Sequence, residues 1–147
     1  MIAIGCDHGG FDLKNSIIKH LEEQNIEVKD FGCYDLQSVD YPDFAVAVAK
    51  SVANGECEKG IVICSTGIGV SIAANKVKGI RCALVHDLLS ARLTREHNDS
   101  NVLAMGAFIV APETAKQITD IWLNTEFSGG ERHLRRVGKI TKIESDL

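Results

Sequence analysis

The sequence predicts an α/β fold: a single doubly wound parallel sheet with helices on both faces. Two observations carry the prediction. Short runs such as residues 2–6 and 60–64 have the continuous hydrophobicity of strands covered on both sides. They alternate with amphipathic stretches, and a β-α-β-α order requires parallel strands joined by crossover helices. A length of 147 residues suits one domain, 1–147, with one core.

Residues 2–6 (IAIGC) form the first strand. A helix follows from about Phe11, with Phe11, Ile17, Ile18 and Leu21 spaced for one face. Residues 26–31 give a second strand. The polar stretch 34–41 leads to Pro42, whose fixed φ suits a first helical turn. Phe44, Val48 and Val52 continue that helix, and Asn54-Gly55 stops it. Residues 60–64 (GIVIC) form the third strand, 67–76 the next helix and 80–85 the fourth strand. Asp87 is placed to cap a helix running to about Glu96. Residues 101–105 give a short fifth strand, and Pro112 opens a helix through about Leu123. Gly129-Gly130 breaks it before a final helix. Ligands of such sheets bind outside the carboxyl ends of the strands, which directs attention to residues 6–10, 64–69 and 86–87.

Composition excludes several classes. With 45% hydrophobic and 24% charged residues the chain is not a disordered polymer. Sixteen Lys+Arg against 20 Asp+Glu give a net charge of −4, without the basic footprint of a nucleic-acid binder. No apolar run is long enough to span a membrane. The start, MIAIGCDHGG, lacks the basic flank and long apolar stretch of a secretory signal, so the expected compartment is a reducing cytoplasm. The five cysteines include no CxxC pair, so neither zinc spacing nor a complete disulfide framework is expected. Basic residues still gather near the C-terminus, in Arg132, His133, Arg135, Arg136, Lys139 and Lys142, which suits a small anion better than a polymer.

The strongest chemical feature is Cys64-Ser65-Thr66-Gly67-Ile68-Gly69-Val70-Ser71, between a strand and a helix. Glycines let a ligand approach the backbone, and free N–H groups at a helix start attract anions. The helix dipole there favours a thiolate, so Cys64 reads as a base or nucleophile, or else as an inert buried thiol before a structural turn. The loop is not a GxxxxGK[ST] phosphate loop, and Val70 stands where a CxxxxxR thiol phosphatase needs arginine. Asp7 and His8, after the first strand, suit hydroxyls or a phosphate, or a plain Asp cap beside a solvent-facing His. His97, in Arg95-Glu96-His97-Asn98-Asp99, reads as an acid/base or as a charge closing a helix. Arg132 and Arg136, four apart, share a helix face and can clamp a phosphate, or form a solvated basic face. His86 is read as lining the site without acting.

Taken together and in this order, these features resemble the ribose-5-phosphate isomerase B family, in the wider group that includes galactose-6-phosphate isomerases. The matching segments are Gly5-Cys6-Asp7-His8-Gly9-Gly10, Asp40-Tyr41-Pro42, Ile63-Cys64 with Thr66-Gly67-Ile68-Gly69, Ser71-Ile72-Ala73-Ala74-Asn75-Lys76, Arg95-Glu96-His97-Asn98-Asp99 and Arg136-Val137. They extend over essentially the whole chain. The resemblance implies a Rossmann-like fold, interconversion of ribose 5-phosphate and ribulose 5-phosphate, no metal and no organic cofactor. It also implies a homodimer or tetramer with active sites shared between subunits, the helical segment from about residue 131 serving phosphate binding and dimer contacts. By position, Cys64 matches the base between C2 and C1, Thr66 and the backbone of residues 65–69 the anion hole, and His97 the ring-opening acid/base. Asp7, His8 and Asn98 match substrate-binding positions, and Arg132 and Arg136 the phosphate arginines.

Three departures stand out. Ser65 replaces a common Gly, Phe108 replaces an Arg that helps hold phosphate in many members, and Glu131 interrupts a Gly-Gly-Arg-His run. An ungapped alignment would choose Arg135 over Arg136. The alternatives are an isomerase of a six-carbon sugar phosphate, such as allose 6-phosphate or galactose 6-phosphate, and a nonenzymatic sugar-phosphate-binding module.

Overall fold

Five parallel strands, β1 (Ile2–Cys6), β2 (Val28–Asp30), β3 (Lys59–Cys64), β4 (Cys82–Leu84) and β5 (Val102–Gly106), lie in the order β2-β1-β3-β5-β4 in a computed structural model that describes residues 1–146. Six helices accompany them: α1 (Phe11–Glu23), α2 (Tyr41–Ala53), α3 (Ile68–Ala74), α4 (Leu88–Asn98), α5 (Pro112–Asn124) and α6 (Glu131–Glu144). The expected doubly wound sheet is present. The edge strands are shorter than the apolar runs suggest, three residues each for β2 and β4, because each has a hydrogen-bonding neighbour on one side only. The helix after β3 ends at Ala74 and α4 runs on to Asn98, which puts His97 and Asn98 in its last turn.

Side-chain alternation along the strands divides the core between the two faces. Ile4, Ile61, Ile63, Leu103 and Met105 meet Leu13, Ile17, Leu21, Ile118 and Trp122 of α1 and α5. Ala3, Val62, Cys64, Val102 and Ala104 meet Ala45, Val48, Ala49, Val70 and Ala74 of α2 and α3. Helix α6 belongs to neither layer and has no buried residue. It is tied at its ends, by His133 stacked on His97 and by Glu144, which accepts the Gly79 N–H at 2.9 Å. Among the described residues no helix is long and apolar enough to cross a membrane.

One buried charge fixes the loop after β2. Lys14 is 1% exposed, and its ammonium donates to both Asp30 oxygens at 2.8 and 2.9 Å and to the Cys33 carbonyl at 2.6 Å. A lysine can be buried in this way because each bond offsets part of its desolvation.

Candidate active site

Strand order decides where a ligand can sit. The chain winds outward from β1 to β2 and then returns to β3 on the other side of β1, so the topological switch point lies between β1 and β3. A crevice opens there at the carboxyl ends of the strands. Register places Cys6 beside Ile63, and Asp7 N–H donates to the Ile63 carbonyl at 3.2 Å. The loops after β1 and β3 are therefore neighbours.

In the β1 loop, Asp7 Oδ1 accepts from the N–H groups of Gly9 and Gly10 at 3.0 and 3.2 Å, so the capping role is real. His8 Nδ1 accepts the Val39 N–H at 3.2 Å, which places the proton of the neutral ring on Nε2.

In the β3 loop, Gly67 turns the chain with a left-handed φ of 76° that favours glycine. The turn sets its N–H 3.1 Å from Cys64 Sγ, and the residue as a whole is only 6% exposed. Thr66 Oγ1 accepts the Ile68 N–H at 3.2 Å, and Ser71 Oγ donates to the Ile68 carbonyl at 2.7 Å. The N–H groups of Ser65, Thr66, Gly69 and Val70 have no protein partner among the described residues. Thiol, hydroxyl and open amides thus share one short segment, which can take up a proton and hold the oxyanion left behind.

His97, Asn98, Arg132 and Arg136 lie elsewhere. Just past α4 the chain re-enters the sheet at Asn101, whose carbonyl accepts from Gly60 at the start of β3. His97 therefore sits at the amino end of the sheet, while Cys64 closes β3 at the carboxyl end. His97 and His133 stack with ring centres 4.4 Å apart and planes 10° from parallel. At about 100° per residue, Arg136 lies about 60° around α6 from His133 and Arg132 about 100°, on the same side, whereas Arg135 points about 160° away. Arg132 and Arg136 are about 40° apart on α6 and Arg135 about 60° beyond Arg132, and His133 alone of this segment touches His97. A cavity of about 680 Å³ between β4, α4 and α6 touches Asn98, Leu84, Leu93, Ile140 and Ile143 but not the Cys64 loop.

Phe108 stands on the turn after β5, 77% exposed, with its N–H on the Ser65 carbonyl at 2.9 Å. The sequence reading does not single out Tyr41, whose ring packs on Gly69, or His133 as a partner of His97. Its only signal for either lies in the Asp40-Tyr41-Pro42 and Arg132-His133 neighbourhoods. Among the thiols, burial pushes Cys82 up to about 12, and burial beside Cys33 raises Cys6, so both suit a packing role. No group of three or more His, Cys, Asp or Glu converges as metal ligands among the described residues.

A parallel sheet with a thiol, a hydroxyl and open amides at its switch point defines an α/β enzyme that moves a proton beside a developing oxyanion. Comparison with known proteins makes the class specific: the chain belongs to the Ribose/Galactose Isomerase family, whose model matches residues 2–140. It is 52% identical over 143 residues to ribose-5-phosphate isomerase B of Escherichia coli, covering 97% of this chain and 95% of that protein. The ribose-5-phosphate isomerase B of Clostridium thermocellum superimposes with a TM-score of 0.97 at 54% identity, covering 99% of this chain and 97% of that one. That of Mycoplasma genitalium, solved with ribulose 5-phosphate bound, gives 0.95 at 42% identity over 99% and 97%. The chain is thus an isomerase, with the expected Rossmann-like fold.

Proposed function

We propose that this chain interconverts ribose 5-phosphate and ribulose 5-phosphate at a site made by two copies of itself. The observation that carries the reading is the Cys64 loop, where Sγ lies 3.1 Å from the Gly67 N–H beside four amides without protein partners.

The substrate arrives largely as a furanose. His97 moves a proton between the anomeric hydroxyl and the ring oxygen, and the sugar opens to the aldehyde. The Cys64 thiolate then takes the C2 proton. The electron pair left behind forms the C1–C2 double bond, and O1 becomes an oxyanion. Thr66 and the backbone N–H groups of residues 65–69 hold that charge; donors of this kind are each worth about 3–4 kcal/mol. Cys64 returns its proton to C1, and the hydroxyl proton passes from O2 to O1, leaving the ketose. Asp7 Oδ2, His8 Nε2 and Asn98 bind sugar hydroxyls, and Arg132 and Arg136 hold the phosphate as charge-assisted pairs. No metal or organic cofactor enters these steps.

A homodimer is supported by the separation of the two residue groups. Its contact surface is supported by exposed Ile68, Ile72, Leu84, Leu88 and Leu89 near the carboxyl edge and by Leu134, Ile140 and Ile143 on α6. A tetramer would pair two such dimers. The reading includes a cytoplasmic enzyme of sugar-phosphate metabolism.

The test is incubation with ribose 5-phosphate, allose 6-phosphate, galactose 6-phosphate and an aryl phosphate, without added metal. Ketose should form from ribose 5-phosphate, Cys64→Ala should abolish it, and iodoacetamide should inactivate the wild type unless substrate is bound. Turnover of six-carbon substrates alone, or near-normal turnover by Cys64→Ala, overturns the assignment.

A further inference from the structure

We propose that His86 is a positioning residue for the catalytic loop: it anchors the end of β5, and that end fixes the backbone of Cys64, Ser65 and Thr66. The inference rests on the isomerase reading above. Backbone pairing of β4 with β5 finishes where Val85 N–H meets the Ala104 carbonyl at 3.1 Å. Beyond it the Gly106 N–H finds a side chain, His86 Nε2, at 2.9 Å. The next two amides reach the loop directly, Ala107 donating to the Cys64 carbonyl and Phe108 to the Ser65 carbonyl, both at 2.9 Å. Gly106 also presses on the third residue of the loop. A Cβ there would lie 2.5 Å from the Thr66 carbonyl carbon, so the two backbones touch without slack.

Imidazole, strand end and loop thus form one continuous chain of contacts, and loss of its first link frees the others. The acceptor must be an unprotonated Nε2, with the ring proton on Nδ1. Burial favours that neutral form by holding His86 below the ordinary imidazole value, against the opposing pull of Asp87. The consequence falls on turnover rather than binding, because the Cys64–Thr66 segment meets the charge that develops during reaction. A misplacement of about 1 Å in such a group costs about 100-fold in rate.

The experiment compares His86→Leu, which has no acceptor, with His86→Gln, whose Oε1 reaches about as far as Nε2. His86→Leu should lower kcat on ribose 5-phosphate about 100-fold while KM stays within about threefold, and His86→Gln should recover kcat to within about fivefold. If His86→Leu does not fold, His86→Asn, whose acceptor stops short of Gly106, takes its place with the same expected loss. Amide hydrogen exchange reports the anchor without turnover: Ala107 and Phe108 should exchange about tenfold faster in the acceptor-free variant and at the wild-type rate in His86→Gln. Unchanged exchange and kcat without the acceptor, or a His86→Gln variant as damaged as His86→Leu, overturns the proposal. A wild type that leaves ribose 5-phosphate untouched overturns the isomerase reading instead, and the exchange measurement still decides the anchor.

Discussion

Two inactive variants should restore each other. Cys64→Ala removes the proposed base, and His97→Asn removes the ring-opening group while keeping a hydrogen-bonding side chain. Within one chain the two groups lie toward opposite ends of the sheet, which is why the proposed site takes them from different copies. The chain leaving α4 reaches β3 at Gly60, through the Asn101 carbonyl at 3.0 Å. Four residues of extended strand separate Gly60 from Cys64, about 13 Å at the usual rise, and His97 lies in the last turn of α4, toward the Gly60 end. Proton transfer requires about 3 Å. If each site takes Cys64 from one copy and His97 from the other, a mixed dimer holds one site lacking both groups and one site with both intact. Random exchange makes about half the dimers mixed, so an equimolar mixture should reach about one quarter of wild-type specific activity. The assay unfolds and refolds the two variants together, confirms mixed dimers by mass spectrometry, and measures ketose formation beside a wild type treated alike. Mixed dimers no more active than the two variants assayed separately would refute the shared site.

Three further outcomes are expected. Arg136→Ala should raise KM for ribose 5-phosphate by about tenfold or more, the loss of one charge-assisted bond, while Arg135→Ala stays within about threefold; the reverse order in steady-state kinetics would show that the ungapped alignment chooses correctly. Phe108 is 77% exposed, so Phe108→Arg should fold with Tm shifted by no more than about 2 °C and should bind phosphosugar at least as tightly, as calorimetry can check. The His86 imidazole is held below its ordinary value, so the folded state binds fewer protons than the unfolded chain as pH falls. Its contribution to stability is therefore complete above about pH 6.5 and is lost as pH falls through the lower folded value. The Tm of His86→Gln should fall less steeply than wild type between pH 7 and 5; parallel curves would remove His86 from the account.

The central strands were legible because a strand covered on both faces is apolar throughout, and residues 2–6 and 60–64 have no other reading. Strand neighbours were not legible: nothing in the sequence says that β5 sits between β3 and β4. The turn after β3 is legible from its glycines, and helical spacing places Arg132 and Arg136 on one side of α6. His86 reads from sequence only as a lining residue, because its partner, the Gly106 amide, is 20 residues away and is left to a side chain only by where β4 stops. Lys14 gives a similar lesson. Its position in a helix suggests solvent, and only the fold brings Asp30 and the Cys33 carbonyl around its ammonium.

Helix α6 shows why the second half of the site was harder to place. Fourteen residues long and without a buried side chain, it is near the length at which an isolated helix is marginal in water, about 12–15 residues. Its stability must come largely from tertiary contact, yet its own chain offers little beyond the His97 stack and the Glu144 contact. Leu134, Ile140 and Ile143 remain exposed along it. In the proposed dimer a second copy covers those side chains, so the helix that carries Arg132 and Arg136 is ordered by the same contact that brings His97 to the partner's Cys64. Assembly and phosphate binding are then linked through one element. Bound phosphosugar must strengthen the dimer, and dilution that separates the copies must cost phosphate affinity together with turnover.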